Sequence, residues 1–316
     1  MKLYKLTPFV ALAMLTACST DDVMPVDDAV ELRLTSTIES TRVATADAST
    51  QATQLAQGEQ VVVWVEDAVA GDWLYSAHPL TADGNGALSG EAMYVFSSSV
   101  DKVNVYAFHG GTTDGEGIPA TVEHSVAVDQ SAMGAAYTNS DLLFAAEKGV
   151  KRRGNPITCN LNFYHMLSKV EVAVKSGSGS PVLAETGGLA LSGVNTKCTV
   201  AFDPDVDLAV RDNRKALILS SEAPGTITMS SVMSADFSDD NVAYNEAIIV
   251  PQTTESAEMV FTLTDGSTFK YKLPAGMEFE SGKKYRFQIT LDYTEVGFKL
   301  RHYYFEAMRF ECHSRK

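Results

Sequence analysis

Apolar and polar residues alternate with a period of two along much of the chain, and this pattern predicts β-strands. Residues 259–263 and 269–273 alternate on either side of Asp265-Gly266, which predicts a β-hairpin. Residues 285–293 give the cleanest alternation, and residues 61–65 are apolar on both parities, so we expect that strand to be buried on both faces. Long helical periodicity is scarce. The expected class is therefore all-β, arranged in sandwiches.

A change of parity in the middle of the chain predicts a domain boundary. Leu161, Phe163 and Leu167 share one parity, whereas the valines of residues 170–174 share the other. A strand cannot change parity without a bulge or a passage into another sheet. We therefore predict an N-terminal β-sandwich domain over residues 18–167 and a C-terminal one over residues 168–316, each of ordinary domain size.

The first residues have the plan of an export signal. Lys2 and Lys5 precede an apolar run at residues 6–15, which is too short to span a bilayer. The run ends in Leu-Thr-Ala-Cys, which resembles a bacterial lipobox and predicts a signal peptide over residues 1–17 with lipidation of Cys18. The alternative is an ordinary signal peptide with an unrelated Cys. Asp21 and the acidic residue after it resemble the signal that sends lipoproteins to the outer face of the outer membrane.

The net charge and the cysteine content bear on which partners and which kinds of site the protein can have. The net charge of −15 argues against nucleic acid as a partner, because that partner requires a basic face. Three cysteines follow Cys18, at positions 159, 198 and 312, and none belongs to a CxxC pair. We expect them to be packing residues, or to form at most one incidental disulfide.

Motifs of enzymes, metal sites and cofactor sites are not present in the sequence. There is no HExxH and no GxSxG segment among the 316 residues. Residues 203–207 resemble the start of a calcium loop, but Leu208 and Arg214 stand where that loop needs Gly and Glu. His165 shares the apolar parity of its strand, which favours a hydrogen-bonded core histidine. We predict no catalytic residue, no metal and no cofactor, and a protein that is not an enzyme.

Several segments together resemble the fimbrillin family of Bacteroidales, the type V pilins and their Mfa-like relatives. The most specific are residues 140–145 (SDLLFA) and 161–170 (LNFYHMLSKV). The others are residues 58–64 (GEQVVVW), 103–108 (VNVYAF), 248–252 (IIVPQ) and 282–285 (GKKY). In this order, behind the lipobox, the resemblance covers about residues 18–293.

The resemblance implies two tandem transthyretin-like Greek-key β-sandwich domains and assembly by donor-strand exchange. In the family, an Arg-specific surface protease cuts after an Arg that follows the first strand, and a strand of another subunit fills the groove left behind. Here the first strand would be residues 30–38, and cleavage would fall between Arg42 and Val43. The groove-facing residues of this displaced strand are Val30, Leu32, Leu34 and Ile38, with Ser36 interrupting the row. Such a groove exposes apolar pockets and two unpaired edges.

The C-terminal tail, residues 295–316, departs from the family pattern. Val296, Phe298 and Leu300 alternate and could form a donor strand, but His302 and the run of aromatic residues at 303–305 break the alternation. Two readings follow, a divergent donor strand or an altered tail that cannot fill a neighbour's groove. We favour the second, with polymerisation impaired or limited to a terminal position.

These features predict a structural subunit of a type V-like fimbria that supports cell adhesion. Its expected partners are other fimbrillin subunits, an Arg-specific surface protease and the outer membrane, to which a lipid on Cys18 would anchor it. The expected location is the cell outer membrane, as a surface-exposed lipoprotein, and the fimbrium. The alternative is a surface glycan-binding lipoprotein with Trp73 and Tyr75 as an aromatic platform. A surface hydrolase is a third reading, which the missing motifs disfavour.

Overall fold

A computed structural model describes residues 29–39, 54–97, 99–110, 115, 117–132, 134–177, 179–232, 242–294 and 297–306, with backbone only for 232, 293–294 and 297–306. Almost all of the regular secondary structure in the described chain is strand, which confirms the all-β class. That its sheets form two tandem transthyretin-like domains remains a prediction.

The elements of the first half are eight strands and one short helix. In chain order they are β1 (Glu31–Ile38), β2 (Gln60–Asp67), β3 (Trp73–Ala82), β4 (Ala87–Tyr94), β5 (Lys102–His109), β6 (Thr121–Ser125), α1 (Ala135–Thr138), β7 (Leu143–Lys151) and β8 (Ile157–His165).

The second half adds eleven strands and one helix. They are β9 (Ser168–Ser176), β10 (Leu189–Ala201), α2 (Arg211–Leu217), β11 (Ile218–Thr228), β12 (Ser230–Val232), β13 (Val242–Ile249), β14 (Gln252–Thr253), β15 (Glu258–Thr262), β16 (Thr268–Lys272), β17 (Glu278–Phe279), β18 (Lys284–Thr294) and β19 (Gly297–Glu306).

Seven strands of the first half close into a ring in the order β1-β4-β3-β2-β5-β7-β8. The interior holds one apolar core, to which β2 contributes Val61, Val63 and Val65. The opposite face of the same strands carries Trp64 and Phe108, which belong to a second core shared with the other half. This confirms that β2 is buried on both faces.

The second half is built from two larger sheets, one in the order β12-β13-β9-β18-β19 and the other in the order β11-β10-β15-β16. Their apolar side chains form the second core. Strand β6, from the first half of the chain, pairs with β10 in the second half, with Cys198 opposite His124. The predicted boundary at residues 167/168 therefore separates β8 from β9, but the chain on its N-terminal side also contributes to a sheet beyond it.

Several local predictions agree with these elements. β15 and β16 form the predicted hairpin, and Gly266 in its turn has a φ of +82°, a backbone conformation that favours glycine. β18 is the regular strand predicted at residues 285–293. The parity change falls between β8 and β9, which belong to different sheets, so the chain passes from one sheet into another there.

The described residues also bear on the cysteines, on metal binding and on membrane-spanning helices. Cys159 and Cys198 are free and buried in different cores, where both are packing residues. Cys312 lies outside the described residues. Among the described residues, no group of three His, Cys, Asp or Glu side chains could hold a metal ion. No helix in this part of the chain has the length and hydrophobicity needed to cross a membrane.

Candidate functional site

The first described strand, β1, lies between two strands that come later in the chain. β1 pairs antiparallel with β4 and parallel with β8, so that Leu34 stands opposite Leu88 on one side and Cys159 on the other. The pairing with β8 continues without interruption from Leu32 to Ile38. Strands β4 and β8 therefore meet only through β1, and its removal would leave both with an unpaired edge.

One row of side chains, from Val30 and from β1, enters the core of the ring. The row is the predicted one, and its exposed fractions are small: Val30 1%, Leu32 3%, Leu34 2% and Ile38 7%. Burial of four such side chains is worth about 6–12 kcal/mol before the entropy of ordering the strand. Ser36 interrupts the row but is satisfied, because its hydroxyl donates to the Gly86 carbonyl at 3.4 Å, and its backbone N–H donates to the same carbonyl at 2.7 Å.

The opposite face of β1 is polar. The Thr35 hydroxyl donates to Oδ1 of Asn160 at 3.1 Å, and the Thr37 hydroxyl donates to Oδ1 of Asn162 at 3.3 Å. Arg33 lies within the strand and forms an ion pair with Glu31 at 2.9 Å. Only the side chains of the buried row therefore enter the core of the ring, as expected for a strand that occupies a groove.

The C-terminal end of β1 is held by the second half of the chain. The backbone N–H of Glu39 donates to the Phe163 carbonyl at 2.9 Å, which extends the pairing with β8 by one residue. Nη1 of Arg214, from α2, lies 3.7 Å from Oε2 of Glu39. The Arg214 guanidinium also lies over the Tyr164 ring, 5.3 Å from its centroid.

A cavity of about 260 Å³ opens beside this end of β1. Its apolar lining includes Ile38, Leu55 and Leu143, and its polar lining includes His109 and Asp141. Gln54 lines the cavity, and Glu39 directly follows the lining residue Ile38. Both ends of the segment 40–53 therefore lie close to the cavity. Serine and threonine hydroxyls at its wall are engaged with backbone carbonyls, as in the 2.7 Å bond from Ser168 to Glu280.

Acids and bases around the cavity are paired with each other. Nδ1 of His165 lies 2.7 Å from Oδ2 of Asp141, and Nε2 of His109 lies 3.7 Å from Oε2 of Glu59. Burial raises the pKa of Asp141, but the neighbouring His165 outweighs it, so the pKa lies below the usual value. His165 is therefore half-buried at a cavity rim and paired with a carboxylate, which differs from the core histidine expected from the sequence.

A second group of charges lies on one sheet face, partly in the wall of the cavity. We call it the sheet-face charge cluster: Lys169, Glu171, Glu246, Lys284 and Arg286. Lys284 Nζ lies 2.8 Å from Glu171, whose other oxygen accepts bonds of 3.1 and 2.8 Å from Arg286. Lys169 lies 2.8 Å from Glu246. Burial opposes the charge of Glu171 but its cationic neighbours prevail, so its pKa is lowered. The cluster joins strands β9, β13 and β18.

The remaining predicted site residues have different positions. Cys18, Arg42, Val43 and Val296 lie outside the described residues. Phe298 and Leu300 belong to β19, which pairs antiparallel with β18, and their backbones stand opposite Tyr293 and Leu291. In this structure, therefore, the candidate donor residues form a hairpin within their own chain.

The aromatic pair considered for glycan binding is engaged in packing. The Trp73 ring lies edge-to-face with Tyr106, with centroids 6.2 Å apart, and packs against the second core. The Tyr75 hydroxyl accepts a bond of 2.8 Å from the Tyr94 backbone. These contacts favour a structural role for both rings.

Sequence reasoning identified the buried row of β1 but missed Glu39 and Arg214. In the sequence, Arg214 only occupies the last position of the imperfect calcium loop, and nothing in the spacing of residues 39 and 214 indicates their contact. A single arginine in a short amphipathic segment does not by itself predict a binding site.

The fold and the site define an all-β protein whose N-terminal strand completes a core built by the strands that follow it. A family model described as Fimbrillin-like matches residues 41–300, and the chain belongs to this family. The matched range begins after β1, so the family assignment rests on the body that surrounds the first strand.

Solved structures share this fold. A candidate cell adhesion protein from Bacteroides ovatus superposes with a TM-score of 0.60 at 13% identity, covering 87% of this chain and 96% of that one. Another from Bacteroides uniformis gives a TM-score of 0.56 at 17% identity, covering 90% of this chain and 100% of that one. No curated protein matches the chain. At these identities the likeness concerns the fold.

Proposed function

We propose that this protein is a structural subunit of a type V-like fimbria, assembled by protease-triggered donor-strand exchange and supporting cell adhesion. The observation that carries the proposal is the position of β1. It is the first described strand, it enters the core through one row of side chains, and both of its neighbours come from later in the chain. Membership of the fimbrillin-like family supports the same function.

The proposed maturation begins at the segment after β1. An Arg-specific surface protease would cut between Arg42 and Val43, three residues beyond the last described residue of this segment, Glu39. The cut separates β1 from the body covalently, so that only hydrogen bonds and burial retain it. A strand from another fimbrillin subunit then replaces β1 between β4 and β8, using main-chain bonds for affinity and alternate side chains for the pockets.

The proposed location is the cell outer membrane and the fimbrium. A diacylglycerol on Cys18 would hold the precursor at the surface until cleavage at Arg42 frees the body for assembly. The proposed role includes no catalysis.

The test is the Arg42→Ala variant, expressed in cells that carry the Arg-specific protease. We expect N-terminal sequencing of the assembled wild-type protein to start at Val43, and the variant to stay uncut and outside fimbriae. Arg33→Ala is the matched control, because Arg33 lies within β1 where the paired backbone is closed to a protease, and it should mature normally. Assembled wild-type protein that starts at Cys18 would contradict the proposal.

A further inference from the structure

Arg214 is a buried cation at the end of the first-strand groove. It belongs to α2 in the second half of the chain and has an exposed fraction of 6%. Its space is closely defined, since a Cβ on Gly282 would lie 2.9 Å from Nη2 of Arg214. The guanidinium is thus fixed in place by the body of the protein, independently of β1.

The groups around Arg214 satisfy it only in part. Nη1 donates to the Leu208 carbonyl, and the Tyr164 ring covers one face of the guanidinium. Nε is buried and has no hydrogen-bond partner. Oε2 of Glu39 lies at 3.7 Å from Nη1, close enough for an ion pair but too far for a hydrogen bond. The site can therefore accept a carboxylate that approaches more closely than Glu39 does.

Removal of β1 would take Glu39 away from this cation. Glu39 directly follows Ile38, the last side chain of the buried row, and Arg214 stays with the body. A buried guanidinium without its carboxylate is strongly unfavourable, because its desolvation is no longer compensated. The emptied groove is thus apolar along its length and cationic at one end.

We infer that Arg214 is a carboxylate receptor that selects the strand replacing β1. This inference rests on the proposed strand exchange. The selected strand runs parallel to β8, as β1 does, and carries an Asp or Glu one residue beyond the side chain that fills the Ile38 position. A carboxylate there bonds Arg214 while main-chain pairing with β8 fixes its register.

The selection has a consequence for the chain's own tail. Placed in the same parallel direction with Phe298 and Leu300 in the buried row, the tail brings Arg301, Tyr303, Phe305 or Ala307 to the position of Glu39, depending on register. None of these is acidic, and Arg301 is a cation that Arg214 would repel. The selected strand therefore belongs to another subunit type, which agrees with our preference for a tail that is not a donor.

The test uses full-length protein cut after Arg42 with an Arg-specific protease, freed of its first strand in mild denaturant and returned to buffer. The probes are two amidated peptides of residues 29–41, one unmodified and one carrying Glu39→Gln, and binding is followed by fluorescence anisotropy. We expect the wild type to bind the unmodified peptide at least about fivefold more tightly than the Glu39→Gln peptide. Arg214→Gln should bind both peptides equally, and Arg214→Lys should keep part of the preference.

A peptide carrying Glu31→Gln is the matched control, because it loses the same charge at the opposite end of the strand. It should bind as tightly as the unmodified peptide. Equal binding of the unmodified and Glu39→Gln peptides to the wild type, or a preference that survives Arg214→Gln, would overturn the inference while leaving strand exchange intact. If no peptide binds, strand exchange fails and the selection fails with it.

A double-mutant cycle in the uncut chain covers the case in which Arg214→Gln does not refold after cleavage. We expect Glu39→Gln and Arg214→Lys to be coupled in urea unfolding, whereas Glu31→Gln and Arg214→Lys should be additive. If the changes in the free energy of unfolding of the first pair are additive, Arg214 does not interact with the Glu39 carboxylate, and the inference is overturned.

Discussion

His165 and Asp141 form a short side-chain contact, with 2.7 Å between Nδ1 and Oδ2, that ties the end of β8 to the turn before β7. The same turn approaches β5, because the Asp141 carbonyl lies 3.1 Å from Nδ1 of His109. Asp141 thus fixes two strand ends beside the cavity at the C-terminal end of β1. Its side chain is mostly buried, so the pairing has energetic weight.

We expect Asp141→Asn to lower the free energy of unfolding by about 1–3 kcal/mol at pH 7. The pKa of Asp141 is lowered in the folded state. Its contribution is therefore complete above the usual value of 3.8 and is lost as the pH falls through the lowered folded value. Urea unfolding at pH 7 and at pH 3 should show a smaller difference between variant and wild type at the lower pH. An equal difference at both pH values would contradict the assigned pairing.

The buried row of β1 should dominate how firmly the first strand is held. Leu34→Ala should cost about 2–5 kcal/mol in the free energy of unfolding, because it leaves a cavity inside the ring. Thr35→Ala is the matched control on the polar face, where only the bond to Asn160 is lost, and it should cost less than about 1 kcal/mol. Comparable costs for the two variants, measured by urea unfolding, would argue against a groove that recognises one row.

Glu171 should be the most sensitive carboxylate of the sheet-face charge cluster. Glu171→Gln leaves Lys284 and Arg286 on one sheet face without their shared carboxylate, and we expect a loss of about 2–4 kcal/mol. The pKa of Lys284 is already lowered by burial, against the opposing effect of Glu171. Without Glu171 that pKa should fall further, which is measurable by NMR titration of the Lys284 Nζ environment.

The matched control is Glu258→Gln, which breaks the pair between β15 and β16 at 3.1 Å. Those side chains are 63% exposed for Lys270 and 32% for Glu258, so solvent screening limits the loss to less than about 0.5 kcal/mol. Equal losses for Glu171→Gln and Glu258→Gln would mean that the buried cluster adds nothing beyond a surface pair.

Local pattern was sufficient to predict individual elements. The β15–β16 hairpin, β18 and the inward row of β1 follow from period-two alternation, because a half-buried strand must place alternate side chains in the core. The passage of the chain into another sheet after Leu167 followed from parity in the same way. Ser36 is the one polar residue within the row, and it is accommodated there because its hydroxyl and its backbone N–H both donate to the Gly86 carbonyl.

Contacts between distant segments could not be predicted. The pairing of β6 with β10 depends on register between Val122 and Val200, and alternation alone does not say which strands are neighbours. The contact of Arg214 with Glu39 joins residues from different halves of the chain. The strength of this ion pair depends on the burial of Arg214, which only tertiary packing creates. The same holds for Asp141, because its place within residues 140–145 does not indicate that it contacts His165.

The anchor is tested at Cys18. Cys18→Ser removes the thiol that would receive the diacylglycerol, and we expect the protein to lose incorporation of radioactive palmitate and to leave the outer-membrane fraction. Cys159→Ser is the control for non-specific loss of a thiol, since Cys159 is buried in the ring, and any effect should concern stability alone. Unchanged labelling of the Cys18→Ser protein would exclude this lipidation site.

The C-terminal tail gives the last prediction. We expect mature full-length protein to form no long ladder of heat-labile oligomers on gels. With Phe298 and Leu300 in the buried row, the tail brings no carboxylate to Arg214 and carries His302 within the groove-facing row. Deletion of residues 295–316 would then leave the pattern unchanged. Since the deletion also removes β19 from the edge of β18, Leu300→Ser and its opposite-parity control Lys299→Ser should be compared as well. Long ladders that are abolished by the deletion and by Leu300→Ser, but not by Lys299→Ser, would establish the tail as a working donor strand.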